Sequence, residues 1–207
     1  GTAQAVEGSQ REGVAMNENE GYIETLTVND VPWHRLTTPY GRATAFPRYF
    51  AVLEAMDDPT AVEEALYEME INTEHQGTLW HATPFALIFL ARIFRRALAA
   101  QAENETARMI AKRLLEHFLL IAECVHMGDE LEHAAPLPRF SDLLREEYLW
   151  SEVYDEEADE LRWEDEDVFP AELFYSFYYY SHQVFLQCKP MFEKMDSDKA
   201  RVLCEKI

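Results

Sequence analysis

The stretch from Glu74 to Leu90, EHQGTLWHATPFALIFL, most narrows what this chain can fold into. It is a short polar and aromatic corner between two long segments of helical spacing. Gly77 is placed to end the first helix, where the backbone turns left-handed at no Cβ penalty. Thr83 and Pro84 open the next helix, one as a cap for orphan amides and one as a first-turn residue that loses no useful donor. A chain reversal this tight must pair its own amides and carbonyls. His75, Gln76, Gly77, Thr78, Trp80 and Thr83 are therefore read as a structural corner. The competing reading is a recognition corner that presents Trp80, His75 and His81 to a partner.

Apolar residues recur at helical intervals through most of the chain. Helices are expected over Thr44–Met56, Thr60–Thr73, Pro84–Ala100, 104–127, Ser141–Asp155, Ala171–Cys188 and from Ser197 onward. The third is apolar on nearly every face until Arg92, which marks an inner helix packed on both sides. Pro190 should stop or kink the sixth. Residues 1–28 are rich in Gly, Glu, Asn and Gln and are expected to be disordered or extended, with 29–207 as one domain. The fold class expected is all-α. Paired helices begin near residues 44 and 60, then near 84 and 104, about the 40–47 residue period of HEAT and armadillo units. That predicts antiparallel hairpins stacked as a short α-solenoid with an irregular C-terminal half; an irregular helical bundle is the alternative.

The string HQGTLWHAT and the small-apolar helix after it resemble a segment of bacterial HEAT-repeat-like proteins. Tyr40-Gly41, Asp58-Pro59 and Ala65-Leu66 resemble that family's preceding hairpin. The resemblance covers about residues 33–98. It implies the stacked-hairpin fold, bears more on fold than on function, and carries over no catalytic residues. Ile88 departs from it by standing where relatives have proline, which implies a straighter helix here.

Charge sorts the function classes. The chain has 39 acidic and 18 basic residues, a net charge of −21. Nucleic-acid binding depends on neutralising phosphates and needs the opposite sign. An anionic membrane surface is disfavoured for the same reason. A basic protein partner fits. Cys124, Cys188 and Cys204 show no CxxC spacing; Cys124 and Cys188 read as small hydrophobes in a reducing compartment, and Cys204, near the polar C-terminus, as an exposed position. With no apolar run of 18 residues and no signal peptide, the expected location is cytoplasmic. The oligomeric state is left open.

Of the net charge, −12 falls within residues 146–172, and the segment 155–167 holds nine acids and one arginine. Leu161 and Trp163 interrupt it, and an aromatic helix follows. A solvated charge run is the plain reading. An acid-and-aromatic docking site is the sharper one, with Trp163, Glu164, Asp165, Glu166, Asp167, Tyr175 and Tyr179 as its residues. A rival function is a di-metal enzyme using Glu123, His126, Glu130 and His133. Ferritin-like proteins place two such Glu-x-x-His motifs on facing helices. Here they lie seven residues apart with Gly128 between them, which counts against a shared site. The sequence thus favours a non-enzymatic module without a cofactor that binds a basic protein, in a specific form an immunity-type protein neutralising a basic toxin.

Overall fold

The computed structural model describes residues 18–130, 135–165 and 169–207, and these form an all-α fold. Helix α1 (residues 18–25) is followed by α2 (Phe46–Ala55), α3 (Pro59–Thr73), α4 (Ala82–Ala100) and α5 (Glu105–Val125). After an irregular connection come α6 (Glu156–Trp163), α7 (Ala171–Glu193) and α8 (Asp198–Lys206). Two small antiparallel hairpins interrupt them, β1 (Thr37–Thr38) with β2 (Gly41–Arg42) and β3 (Glu74–His75) with β4 (Thr78–Leu79).

Helix α4 is the inner helix that its composition predicts. From Ala82 to Phe94 every residue except Arg92 is buried. It packs against α2, α3, α5 and α7, while α5 packs against α3, α7 and α8. The hairpins α2/α3, α4/α5 and α7/α8 therefore meet in two rows, α2 with α4 with α7 and α3 with α5 with α8. Aromatic side chains fill the joints. Trp33 lies 5.3 Å from Phe50 and 5.7 Å from Phe89, with its indole N–H donated to the Val28 carbonyl at 2.9 Å. Phe94, Phe118, Phe185 and Phe192 join the other end of α4 to α5 and α7.

Three elements differ from the sequence expectation. Residues 18–25, expected to be disordered or extended, are helical. Few apolar residues mark this helix, yet Arg92 supplies what its C-terminus lacks by donating to the carbonyls of Ile23, Glu24 and Leu26 at 2.7–3.2 Å. The expected helix from Ser141 to Asp155 is replaced by two short 3-10 turns, Phe140–Leu144 and Glu146–Tyr148. The carbonyls of Leu149, Trp150 and Ser151 go instead to the guanidinium groups of Arg162, Arg35 and Arg42. Helix α7, expected to end near Cys188, continues through Pro190 to Glu193, so the proline does not stop it. The carbonyl that Pro190 leaves without a donor belongs to Leu186, a residue 39% exposed, so water can take it.

The connection after α5 is held by close packing. A Cβ on Gly128 would sit 2.8 Å from the Tyr178 Cβ and 3.3 Å from the Tyr175 ring. Gly128→Ala should therefore force α7 away from this turn and cost about 1–3 kcal/mol, read as a lower midpoint in urea unfolding.

Candidate functional site

Two corners and one helix build the site. At the first corner α3 ends at Thr73, four residues before Gly77, and the chain turns through the β3–β4 hairpin. Gln76 (φ 50°) and Gly77 (φ 82°) form its two-residue loop, both in the left-handed region that the strand twist demands. Gly77 is left-handed as expected, but in a hairpin loop and not at a helix end. Helix α4 begins at Ala82, so Thr83 lies inside its first turn. Its hydroxyl still does the pairing that a tight reversal needs, accepting from the Trp80 amide at 2.9 Å and donating to the Thr73 carbonyl at 2.7 Å. Glu74 accepts from the Gly77 amide, and Thr78 accepts from the Trp80 indole at 3.0 Å. His81 is fully buried and its Nε2 donates to the Leu143 carbonyl at 2.7 Å. It is thus a core histidine with no face toward a partner.

The second corner is the β1–β2 hairpin. Thr38 donates to Asn72 on α3 at 3.0 Å and accepts from the Tyr40 amide at 3.2 Å, which leaves the Tyr40 side chain 64% exposed. Arg42, at the end of β2, reaches inward. Its guanidinium donates twice to Asp159 of α6, at 2.7 and 2.8 Å, and also to the carbonyls of His34 and Ser151. It lies 5.5 Å from the Trp150 ring and 5.3 Å from the Tyr154 ring. Asp159 is only 3% exposed.

Helix α6 lies inside the acidic run that could have been mere solvated surface. Asp155 caps it by accepting from the Ala158 amide at 3.0 Å, and Glu156, Glu157 and Asp159 suit the positive end of the helix dipole. At its other end Trp163 stacks on Trp80 of the first corner, with ring centroids 5.1 Å apart and planes 11° from parallel. The HQGT corner and the acidic segment, read as separate features of the sequence, thus meet.

Between α6 and the β1–β2 hairpin lies a cleft of about 470 Å³. Glu156, Glu160 and Glu164 line one wall, Tyr40 belongs to the facing hairpin, and Trp80, Trp150, Tyr154 and Trp163 complete the lining. Among the described residues these three glutamates have no ion pair. A neighbouring cleft of about 400 Å³ shares Tyr40, but its carboxylates are engaged: Glu70 by Arg113 at 2.9 Å and Glu116 by Lys199 at 2.7 Å. The first cleft is therefore the candidate for a cationic ligand.

Of the residues singled out in the sequence, Trp163 and Glu164 line this cleft, and Asp165 follows directly after them. Glu166 and Asp167 lie outside the described residues. Tyr175 and Tyr179 sit elsewhere on α7, half-buried, with rings 6.1 Å apart. Tyr40, Arg42, Trp150, Tyr154 and Asp159 were not foreseen; no spacing ties them together, because three separate segments supply them. For the metal alternative, Glu123 pairs with Lys206 and His126 bonds the Lys206 carbonyl at 2.8 Å. His133 and the Glu130 side chain lie outside the description, and the described residues contain no group of three His, Cys, Asp or Glu placed to hold a metal ion.

Burial holds two histidines near this site neutral. The pKa of His81 falls from 6.5 to about 4 through desolvation, and that of His117 falls equally through desolvation and the nearby Arg113 charge. Both folded values lie below the unfolded one, so the unfolded chain binds the extra protons. Each histidine's contribution is complete above pH ~6.5 and is lost as the pH falls toward ~4, to a limit of roughly 3 kcal/mol. Replacing either by Gln should flatten the slope of stability against pH in that window, whatever it does to absolute stability; equal slopes would contradict the assignment. Arg42→Ala strands the Asp159 carboxylate in the interior and should cost about 3–5 kcal/mol, whereas adding Asp159→Asn to it should restore part of the loss in chemical unfolding.

Comparison of the chain with family models, curated proteins and solved structures gives no match, so its cleft is read from geometry and charge.

Proposed function

We propose that this chain is a protein-binding module that seats a basic segment of a partner protein in the cleft between α6 and the β1–β2 hairpin. The observation that carries this is the combination on one wall: three glutamates without cationic partners among the described residues, beside a partly exposed, stacked tryptophan pair. Charge of this sign speeds encounter with a basic surface, and flat aromatic rings supply area that holds a complex together. The buried pair between Arg42 and Asp159 fixes the wall before a partner arrives, so little ordering cost falls on binding. Stacked helical hairpins of the HEAT-like kind commonly serve as binding surfaces, and the two-row packing of α2 to α5, α7 and α8 supports that reading.

Titration with a hexa-arginine peptide, followed by tryptophan fluorescence, tests the proposal. Substituting Glu156, Glu160 and Glu164 together by Gln should weaken binding by about tenfold, taking each exposed pair at roughly 0.5 kcal/mol. Substituting the exposed Asp57, Glu64 and Glu103 by Asn or Gln changes net charge equally and should leave affinity within about twofold. Equal losses in the two variants would show that overall charge, and no particular cleft, attracts the peptide.

A further inference from the structure

We infer that the neighbouring cleft, bounded by the end of α3 and by α5, binds a single alkyl ammonium group at His117. This histidine is only 4% exposed, yet it lines the opening. The Thr73 hydroxyl spends its proton on the Met69 carbonyl at 2.6 Å, so His117 Nε2 carries a hydrogen and donates it to Thr73 at 2.7 Å. Burial keeps the ring neutral at pH 7, so Nδ1 holds a lone pair and can only accept. That lone pair has no partner among the described residues. Nor is it sealed. The unpaired polar side-chain atoms closed off from solvent among these residues are His81 Nδ1, Trp150 Nε1, Arg162 Nε and Gln187 Oε1. His117 Nδ1 is therefore open, and the cleft is the opening that His117 lines.

An acceptor asks for a donor, and the charge around it says which kind. Glu70 and Glu116 hold Arg113 and Lys199, which leaves Glu74 as the lining carboxylate without an ion pair among the described residues. Its Oε1 accepts from the Gly77 amide at 2.8 Å. Its charge also reaches α5, where it adds to burial in raising the pKa of the Cys124 thiol. Cys124 lies about two turns beyond His117 on that helix, so both belong to one face. A cation bearing an N–H thus finds a neutral lone pair and one uncompensated carboxylate.

Other cations fit less well. A quaternary ammonium has no hydrogen to give Nδ1. A guanidinium fork takes both oxygens of one carboxylate, and one oxygen of Glu74 already serves Gly77. Among the described residues no three His, Cys, Asp or Glu are placed to hold a metal ion. A compact ammonium with separate donors needs neither a fork nor a ligand cage. Ile71 and Leu120 line the same cleft, and Leu120 is 43% exposed, so an alkyl stem has apolar surface to lie on.

Four probes with a four-carbon stem test the inference against the full chain at pH 7. They are n-butylammonium, butyltrimethylammonium, neutral pentanamide, and Nα-acetyl-lysine methylamide. The readout is the nitrogen NMR resonance of His117 Nδ1, which moves when the lone pair accepts a hydrogen. Butylammonium should shift it and bind about tenfold tighter than the trimethyl and amide probes. Glu74→Gln keeps an oxygen for the Gly77 amide; it should lower butylammonium affinity about fivefold and leave pentanamide within about twofold. A His117 signal unmoved by saturating butylammonium overturns the site and leaves the lone pair to water. Equal affinity for the trimethyl probe overturns donation to Nδ1, and equal affinity for pentanamide overturns the role of charge. The lysine probe identifies the source of the group. Binding at least as tight as butylammonium assigns it to a protein side chain and weaker binding to a free amine, and either upholds the site. The docking proposal stands apart from these outcomes, because Glu156, Glu160 and Glu164 line the other cleft.

Discussion

A buried ion pair holds the candidate site in place. Asp159 would be a costly residue to bury alone, and the Arg42 guanidinium would be as well. Together, with the His34 and Ser151 carbonyls and two aromatic rings around them, they have the partners that burial requires. The pair joins helix α6 to the β1–β2 hairpin, two segments more than a hundred residues apart in sequence. Every feature of the cleft between them depends on that link. Apolar contact alone would hold α6 loosely, because Asp159 is its one buried described residue.

The other side of the site is fixed by hydroxyls. Thr83 joins the end of α3 to the start of α4, and Thr73 donates to the Met69 carbonyl while facing His117 Nε2 at 2.7 Å. Because the Thr73 proton is already used on Met69, the imidazole must be the donor in this pair. These bonds pair the Trp80 amide and the Thr73 carbonyl within a sharp reversal in the interior. Trp80 is presented from this frame, so its stack with Trp163 joins two rigid elements.

Much of the helical frame could be read from apolar spacing. The limits of α3 and the N-terminal caps Asn104 and Ser197 follow from local chemistry, and local chemistry is visible in a sequence. The continuous apolar face of α4 announced its inner position equally well. What failed was whatever depends on a distant donor. Helix α1 needs Arg92, and the irregular segment 140–155 needs Arg35, Arg42 and Arg162, none of which leaves a periodic mark. The candidate site was half legible for the same reason. Trp163 and Glu164 stood out as aromatic and acid in one run. Arg42 and Asp159 looked like two more surface charges, since nothing in their neighbours tells a paired charge from a solvated one.

Four carboxylates along α6 and its C-cap residue Glu164 fall into two classes that respond differently to their surroundings. Asp159 meets its partner inside the protein, where dissolved ions do not screen it. Glu156, Glu160 and Glu164 face water, within reach of screening over a Debye length of about 8 Å at physiological ionic strength. Raising the salt concentration therefore weakens whatever the outer row attracts and leaves the inner attachment of the helix as it was. Under the proposed function, ionic strength would act as a release control, because the seat keeps its shape while the outer row is screened.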